Sequence, residues 1–495
     1  MIFITLFFKL VLNSYRRFKT IENPKRKNMM SNPIIEKLRQ AVGNDKISTE
    51  DALLQERRHD YSFISQLDDL QGRGAPVAAC VAMPANTADV VKIVNTCREN
   101  NTTIIPFGLG SGVVAGVIAH PDAVMLDMSS MKRIRKIDTH NLLATFEAGV
   151  RGSDAEAALV KQGLMLGHYP QSIDVSSVGG WVATRACGQF SSAYGSIEDV
   201  VMALEVVLPN GEILETRQTP RASAGPDLKE IFLGSEGTLG IVTAVTFSVR
   251  WQPEKREYTA FYAPNMNKGF ELQRNIMQHG WEPPVMRQYD HTEVKRLFPD
   301  QYRGEDSLLI MVHEGPAGRV AAEIKECLEI AGDLGCDPAP TAVVEKWFVD
   351  RNHVSSFDEF LTQGVVVDTI EIAAVWDKIG GIYKSALSSL NEVENMVNAS
   401  AHSSHCYRSG LNLYFTFAVI PADSEKMSDV YHECWRRVLE ATHAGGGGIA
   451  HHHGIGRIRR DWMPAEVGDA GMTVLRALKK TLDPEGIMNP GVLLK

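Results

Sequence analysis

The run from Gly167 to Gly188 is the densest stretch of small and hydroxyl-bearing residues in the chain, set between two ordinary apolar-patterned regions. Little of it suits a core. Ser172, Ser176, Ser177, Gly179, Gly180, Thr184 and Gly188 put little side chain in front of the backbone, so a ligand can approach the N–H groups closely, and an anion is the natural guest. Two further segments have the same make-up. One is Pro106, Phe107, Gly108, Leu109, Gly110, Ser111 and Gly112; the other, opening at Gly234, continues through Glu236, Gly237, Thr238, Leu239, Gly240, Ile241 and Val242. Neither carries the lysine of a phosphate-binding P-loop, and Gly108, Gly110 and Gly116 miss the spacing of a dinucleotide-binding turn. Phosphate at these loops is expected to be held mostly by backbone.

A chain of 495 residues, 44% hydrophobic and 22% charged, is too long for one core, because single cores stop growing near ~250–300 residues; two domains are expected. A net charge of −9, with no dense basic run beyond residue 30, argues against a nucleic-acid partner. The seven cysteines are scattered and include no C-x-x-C pair, so neither a disulfide framework nor a zinc knuckle is suggested. No metal is expected, and a reducing, cytoplasmic setting fits best. The apolar run from Met1 to Leu12 is broken by Lys9 and falls short of the ~20 residues of a spanning helix. Basic residues from Arg16 to Lys27 follow it and would suit contact with a membrane surface. The preferred reading is that the fold begins near Pro33, that Met29 or Met30 is the start, and that residues 1–30 are a dispensable extension.

Residues 31–72 read as an N-terminal helical segment, with a helix over Pro33–Val42 ended by Gly43. A βαβ pattern follows. Val77–Met83 and Thr103–Ile105 are the strands, Asn86 caps the helix between them, and the second strand leads into the Pro106 loop at the end where α/β sheets commonly bind ligands. Asn210-Gly211 turns a hairpin, and Ile241–Val249 closes a domain assigned to 73–252. Longer helices and strands then mark a second, α+β domain at 253–440. The segment 441–495 returns through Gly445–Gly456 and a helix from about Ala470.

As an ordered set, the three glycine-rich blocks resemble the flavin-binding half of the vanillyl-alcohol oxidase superfamily, the FAD-binding fold named after p-cresol methylhydroxylase (PCMH). Ser176 to Ala186, followed by Tyr194 to Asp199, is most similar to the alkylglycerone-phosphate synthase (alkyldihydroxyacetonephosphate synthase) family, and the likeness runs from about residue 75 onward. The resemblance implies an α+β fold: a PCMH-type FAD-binding domain of two subdomains and an α+β cap over the isoalloxazine ring. It implies FAD among the three loops, with His168, Gln171, Ser172, Ile173, Asp174, Val175, Ser176 and Ser177 on one side and Ala183, Thr184, Arg185 and Ala186 beyond them. Pro106–Gly112 contains neither His nor Cys, so the FAD is expected to be non-covalent. The implied reaction exchanges an acyl for an alkyl group at a ketone carbon through a flavin N5 adduct, on a small-molecule or lipid-like substrate, in a homodimer.

His451, His452 and His453 stand between glycines, which reads as mobile backbone presenting imidazoles; by composition alone a metal-binding or solvated tract is the competing interpretation. Tyr414 lies in the alternation Leu413–Phe417, where a packed aromatic is the ordinary reading, and Arg287 in Val285–Asp290 reads equally as a surface ion-pair residue. The resemblance implies that Tyr414 and the histidines are catalytic and that Arg287 lies near the substrate. One departure stands out: Phe357 or Asp358 falls where the family has a substrate-phosphate arginine, leaving Arg351, which falls earlier, as the candidate substitute. The competing class is an FAD-linked oxidase or dehydrogenase acting on a CH–OH group such as a D-2-hydroxyacid. That branch carries a histidine pair and a glutamate as metal ligands, and here Asn412 and His452 stand at two of those places. A flavin-binding protein without activity is the third reading.

Overall fold

The computed structural model describes residues 32–354 and 356–495. The expectations for residues 1–30 lie outside them. Among the described residues no helix is long and apolar enough to cross a membrane.

The helix Pro33–Val42 forms as expected, opened by the Asn32 side chain and closed at Gly43, whose φ of 102° favours glycine. The first sheet is small: Ile47–Ser48, Cys80–Ala82, Val124–Asp127 and Ile104–Phe107 lie side by side, the last three parallel. The strand expected over Val77–Met83 is shorter, because the flanks Val77–Ala79 and Met83 belong to the connections, and the one expected over Thr103–Ile105 runs on to Phe107. Asn86 caps the helix Thr87–Glu99 by accepting from the Asp89 amide, and Val90, Ile93 and Val94 pack on this sheet. A five-stranded antiparallel sheet follows, in the order Ile134–Asp138, Leu143–Glu147, Ile241–Ser248, Val201–Val207, Ile213–Glu215. The loop after Phe107 leaves at the carboxyl end of a parallel strand.

The second half is one seven-stranded antiparallel sheet, whose last three strands run Met396–Ser403, Gly410–Val419, Val366–Val375. Alternation decides its faces. Leu411, Leu413, Phe415, Phe417 and Val419 turn into a core shared with the helices Met266–Gln278, Trp376–Asn391 and Met427–Ala444. Asn412, Tyr414 and Thr416 therefore turn to the opposite face. Further along the sheet, that face packs Tyr289, Ile310 and Val312 against Phe190, Tyr169 and Tyr194 of the flavin-binding half.

The helix expected from about Ala470 forms after a kink at Gly468, and a short helical stretch from Met463 precedes that kink. The chain then crosses back to the first sheet: Ile104 donates to the Ile487 carbonyl at 2.8 Å and accepts from the Asn489 amide at 2.9 Å.

Candidate functional site

Three adjacent strands put Glu371, Tyr414 and His402 in one row, because Tyr414 is the register partner of Glu371 on one side and of His402 on the other. Such neighbours interact directly on a sheet face. The His402 ring stacks on Tyr414 with centroids 4.8 Å apart, its Nε2 accepts from Arg287 at 2.7 Å, and its Nδ1 donates to buried Glu293 at 2.9 Å. Arg287 therefore reaches the site, and among the described residues it makes no ion pair with a carboxylate.

The histidine triplet is not the mobile or solvated tract its glycines suggested. Glu371, fully buried, accepts from the backbone amides of His451 at 3.0 Å, His452 at 3.3 Å and His453 at 2.7 Å. Arg459, also fully buried, holds the other side of that carboxylate at 2.9 Å and reaches the Gly454 carbonyl at 2.8 Å. Burial alone would raise the Glu371 carboxyl, but the Arg459 charge, His453 and the loop amides together outweigh it and keep the group below the ordinary range. The result is an anchored loop whose imidazoles face Tyr414.

The Tyr414 hydroxyl bonds directly to His452 Nε2 and lies 3.2 Å from His453 Nε2. His452 Nδ1 then meets His451 Nδ1 at 2.7 Å, and His451 Nε2 meets the Tyr407 hydroxyl at 2.7 Å. Each neutral imidazole has one N–H, so this chain has two polarities: Tyr414 donates and every bond points toward Tyr407, or every bond reverses and Tyr414 accepts. Burial and the Glu371 charge push the Tyr414 hydroxyl above its usual value, so the phenol keeps its proton in either polarity. Burial also carries His451 and His453 down to about 4, so the rings are neutral near pH 7.

The loops of the first half have a geometry that would accept a cofactor. Gly108, Ser177 and Gly180 face one another: a Cβ on Gly108 would sit 2.7 Å from Ser177 Oγ, and one on Gly180 3.2 Å from it. Gly110 has a φ of +75°. His168 is fully buried with neither ring nitrogen hydrogen-bonded, its ring 4.9 Å from Trp181. A buried imidazole without partners is costly, and a bound polar group beside it would remove that cost. These features fit a cofactor held along its backbone-lined loops.

Other parts of the glycine-rich stretch have internal work instead. Ser177 caps the helix Val178–Thr184, Ser176 accepts from Trp181 Nε1 at 2.8 Å, and Thr184 donates to the Gly180 carbonyl. Gly179 and Gly188 are small so that Ala148 and the Tyr169 amide can pack against them, not so that a ligand can enter. Arg185 ends the helix at φ +56° and turns its side chain to Glu198 and Glu230. Arg351 is not brought to Tyr414: its guanidinium lies 3.9 Å from the Phe348 ring and donates to the Phe348 carbonyl.

Glu236 joins the halves. Its carboxyl accepts from the Ile455 and Gly456 amides at 2.8 and 3.1 Å, and its backbone carbonyl accepts from Asn489 at 2.8 Å. Burial pushes this carboxyl up to about 7, and that of neighbouring Asp60, which accepts from the Gly116 amide, up to about 6. The folded chain thus keeps protons that the unfolded chain sheds above about pH 4–5, so this stabilisation is present at acid pH and is lost as pH rises through 6 to 7. Denaturant titrations of Glu236→Gln at pH 5 and pH 8 are expected to show a pH dependence weaker than the parent's by about 3 kcal/mol. Equal slopes would show that Glu236 does not titrate in this range.

Comparison with known proteins adds to this geometry. Residues 78–217 match the family described as FAD binding domain, and residues 252–493 match FAD linked oxidases, C-terminal domain. The chain is 32% identical to an uncharacterized FAD-linked oxidoreductase, YgcU, of Escherichia coli K12, over 93% of this chain and 98% of that protein. The chain belongs to the FAD-linked oxidase family. FAD is its cofactor, and it is an FAD-dependent enzyme with a PCMH-type binding domain. This FAD-linked oxidase is 30% identical to an alkyldihydroxyacetonephosphate synthase of Trypanosoma brucei brucei, over 94% of this chain and 81% of that one. A solved alkyldihydroxyacetonephosphate synthase superposes with a TM-score of 0.79 at 26% identity, covering 95% of this chain and 87% of that one. p-Cresol methylhydroxylase shares the fold, with a TM-score of 0.73 at 17% identity, over 93% and 96% of the two chains. The resemblance read from the loops holds for family and fold.

Glu371, Arg459, His402, Glu293 and Tyr407 had not been singled out from sequence. A signal existed for Glu371, an acid in the otherwise apolar run Thr369–Val375. The other four gain meaning only from partners distant in sequence. In a trichloroacetic acid precipitate, the flavin of this FAD-linked oxidase is expected in the supernatant; yellow colour on the pellet would mean a covalent link.

Proposed function

We propose that this FAD-dependent enzyme exchanges the acyloxy group for an alkoxy group on the carbon next to the ketone of an acyl-dihydroxyacetone-phosphate-type substrate, the acyl group leaving as a carboxylate and the alkoxy group coming from an alcohol, without net redox change. The observation that carries the reading is the Tyr414 hydroxyl held by His452 and His453 on a loop anchored by Glu371. A carbon next to a ketone gives up a proton only to a base within about 3 Å, and exchange requires the same proton to return. A phenol coupled to two neutral imidazoles suits that reversal, since one hydrogen-bonded unit takes the proton and gives it back. Arg287, with no carboxylate partner, would hold the substrate's anionic end. Bound FAD would supply the electron-rich ring that takes up the activated carbon.

A second reading, oxidation of a CH–OH group, is favoured by one observation. Phe357, at the place expected for a phosphate-binding arginine, stacks on Tyr61 at 5.3 Å and meets Phe63 edge-on at 5.4 Å. Anaerobic mixing separates the two. Incorporation of a labelled long-chain alcohol with the flavin still oxidised supports exchange; bleaching by a 2-hydroxyacid, with no incorporation, overturns it.

A further inference from the structure

Six of the seven cysteines pack inside apolar clusters: Cys80 and Cys97 beneath the first sheet, and Cys327, Cys336, Cys406 and Cys434 beneath the large one. Cys187 differs. Its Sγ lies 3.4 Å from His405 Nδ1, 2.8 Å from Ser196 Oγ and 3.6 Å from the Tyr407 hydroxyl. His405 comes from the connection before the strand Gly410–Val419, and its ring lies 5.0 Å from that of His451. Ligand atoms of Cys187, His405 and His451 all lie within 4.8 Å of one another.

We propose that Cys187, His405 and His451 form a binding site for a divalent cation of the zinc class. One sulfur and two imidazole nitrogens, with no carboxylate among them, suit zinc and not magnesium or calcium. Metal–sulfur and metal–nitrogen bonds of ~2.3 and ~2.0 Å in a tetrahedron set sulfur and nitrogen roughly 3.5 Å apart. The Cys187–His405 pair already has that spacing, and His451 needs to close by about an ångström. His451 Nδ1 is bonded to His452, the kind of partner that orients a metal-bound imidazole, and its Nε2 would exchange the Tyr407 hydroxyl for the metal. A fourth position remains for water or a substrate oxygen. The expectation of no metal rested on the cysteine spacing and on Asn412 and His452 standing where the D-2-hydroxyacid branch has ligands, neither of which registers Cys187 beside His405.

The step is ligand exchange without redox change. The Cys187 S–H bond breaks, its proton leaves to solvent and a sulfur–metal bond forms, while the bonds of Ser191 to His405 and of Tyr407 to His451 give way. A cation on His451 Nε2 forces the proton of that ring onto Nδ1. The hydrogen-bond chain then takes the second polarity, in which His452 donates to Tyr414 and the tyrosine oxygen is the acceptor. The metal would thus set the direction in which Tyr414 moves a proton.

Metal content, and not turnover, tests the site, so its failure is distinguishable from failure of the exchange reading. FAD-loaded full chain is stripped with a chelator, dialysed against a small molar excess of zinc chloride and gel-filtered, and zinc and flavin are measured per chain. About one zinc per flavin is expected, bound at least about 100-fold more weakly in Cys187→Ser and in His405→Gln, and unchanged in Cys97→Ser. Zinc should also raise the unfolding temperature of the parent and not of the two variants. A parent chain that retains no zinc, or variants that bind it as tightly as the parent, would overturn the assignment. If Cys187→Ser does not fold, His405→Gln decides alone.

Discussion

Tyr414→Phe is expected to lower turnover by ~10²–10⁴-fold while the protein stays folded and yellow, the usual range for removing a general acid or base. The substitution deletes one oxygen and leaves the ring stacked on His402, so neither sheet register nor the flavin-binding half has cause to change. His452→Ala should fall into the same range, because His452 is the partner to which the hydroxyl is bonded. The double variant should be little worse than either single one, since groups that act as a unit give non-additive losses. Steady-state rates on a verified substrate, normalised to flavin content, are the measurement. Near-full turnover in Tyr414→Phe would return this residue to a packed strand aromatic and remove the main support for the exchange reaction.

Glu371→Ala is expected to have the largest effect on stability. It leaves the Arg459 guanidinium, fully buried, without its counter-charge, and breaking one side of such a pair typically costs ~3–5 kcal/mol. Three loop amides lose their acceptor in the same substitution, so the imidazoles should lose their alignment and turnover with them. Replacing both partners, Glu371→Ala with Arg459→Met, should recover much of the stability, because no buried charge is then stranded, but not the turnover. Denaturant unfolding and flavin-normalised rates separate the two effects. If the double variant is as unstable as the single one, Arg459 is held by something other than this carboxylate.

The sequence made the flavin-binding half easy to read because its signals are local. The Asn86 cap, the Asn210-Gly211 turn and the parallel strand leading into Pro106 depend on neighbours a few residues away. The substrate half was legible as strands and helices, but not as a site. Tyr414 sits in an alternating run that would look the same facing either way, and only strand order sets Glu371 and His402 beside it. The glycines misled in one respect. At Gly179 and Gly188 the absent side chain permits close packing, which composition cannot tell from access for a ligand. Arg351, the candidate substitute for the missing cation, has its guanidinium against the Phe348 ring, a placement that its position in the sequence does not reveal.

The crossing of the last segment onto the first sheet bears on how the enzyme is made. Asn489 bridges the carbonyls of Gly116 and Glu236, and Met488 pairs with Ile104, so these inner supports of the flavin loops come from residues translated long after the loops themselves. A nascent chain can form the βαβ unit and the five-stranded sheet long before the ribosome reaches that point, yet must wait for the tail to lock the loop after Phe107. Cofactor capture should therefore wait until residues 488 and 489 have been made, and a chain stalled before them should emerge folded in its sheets and unable to retain FAD.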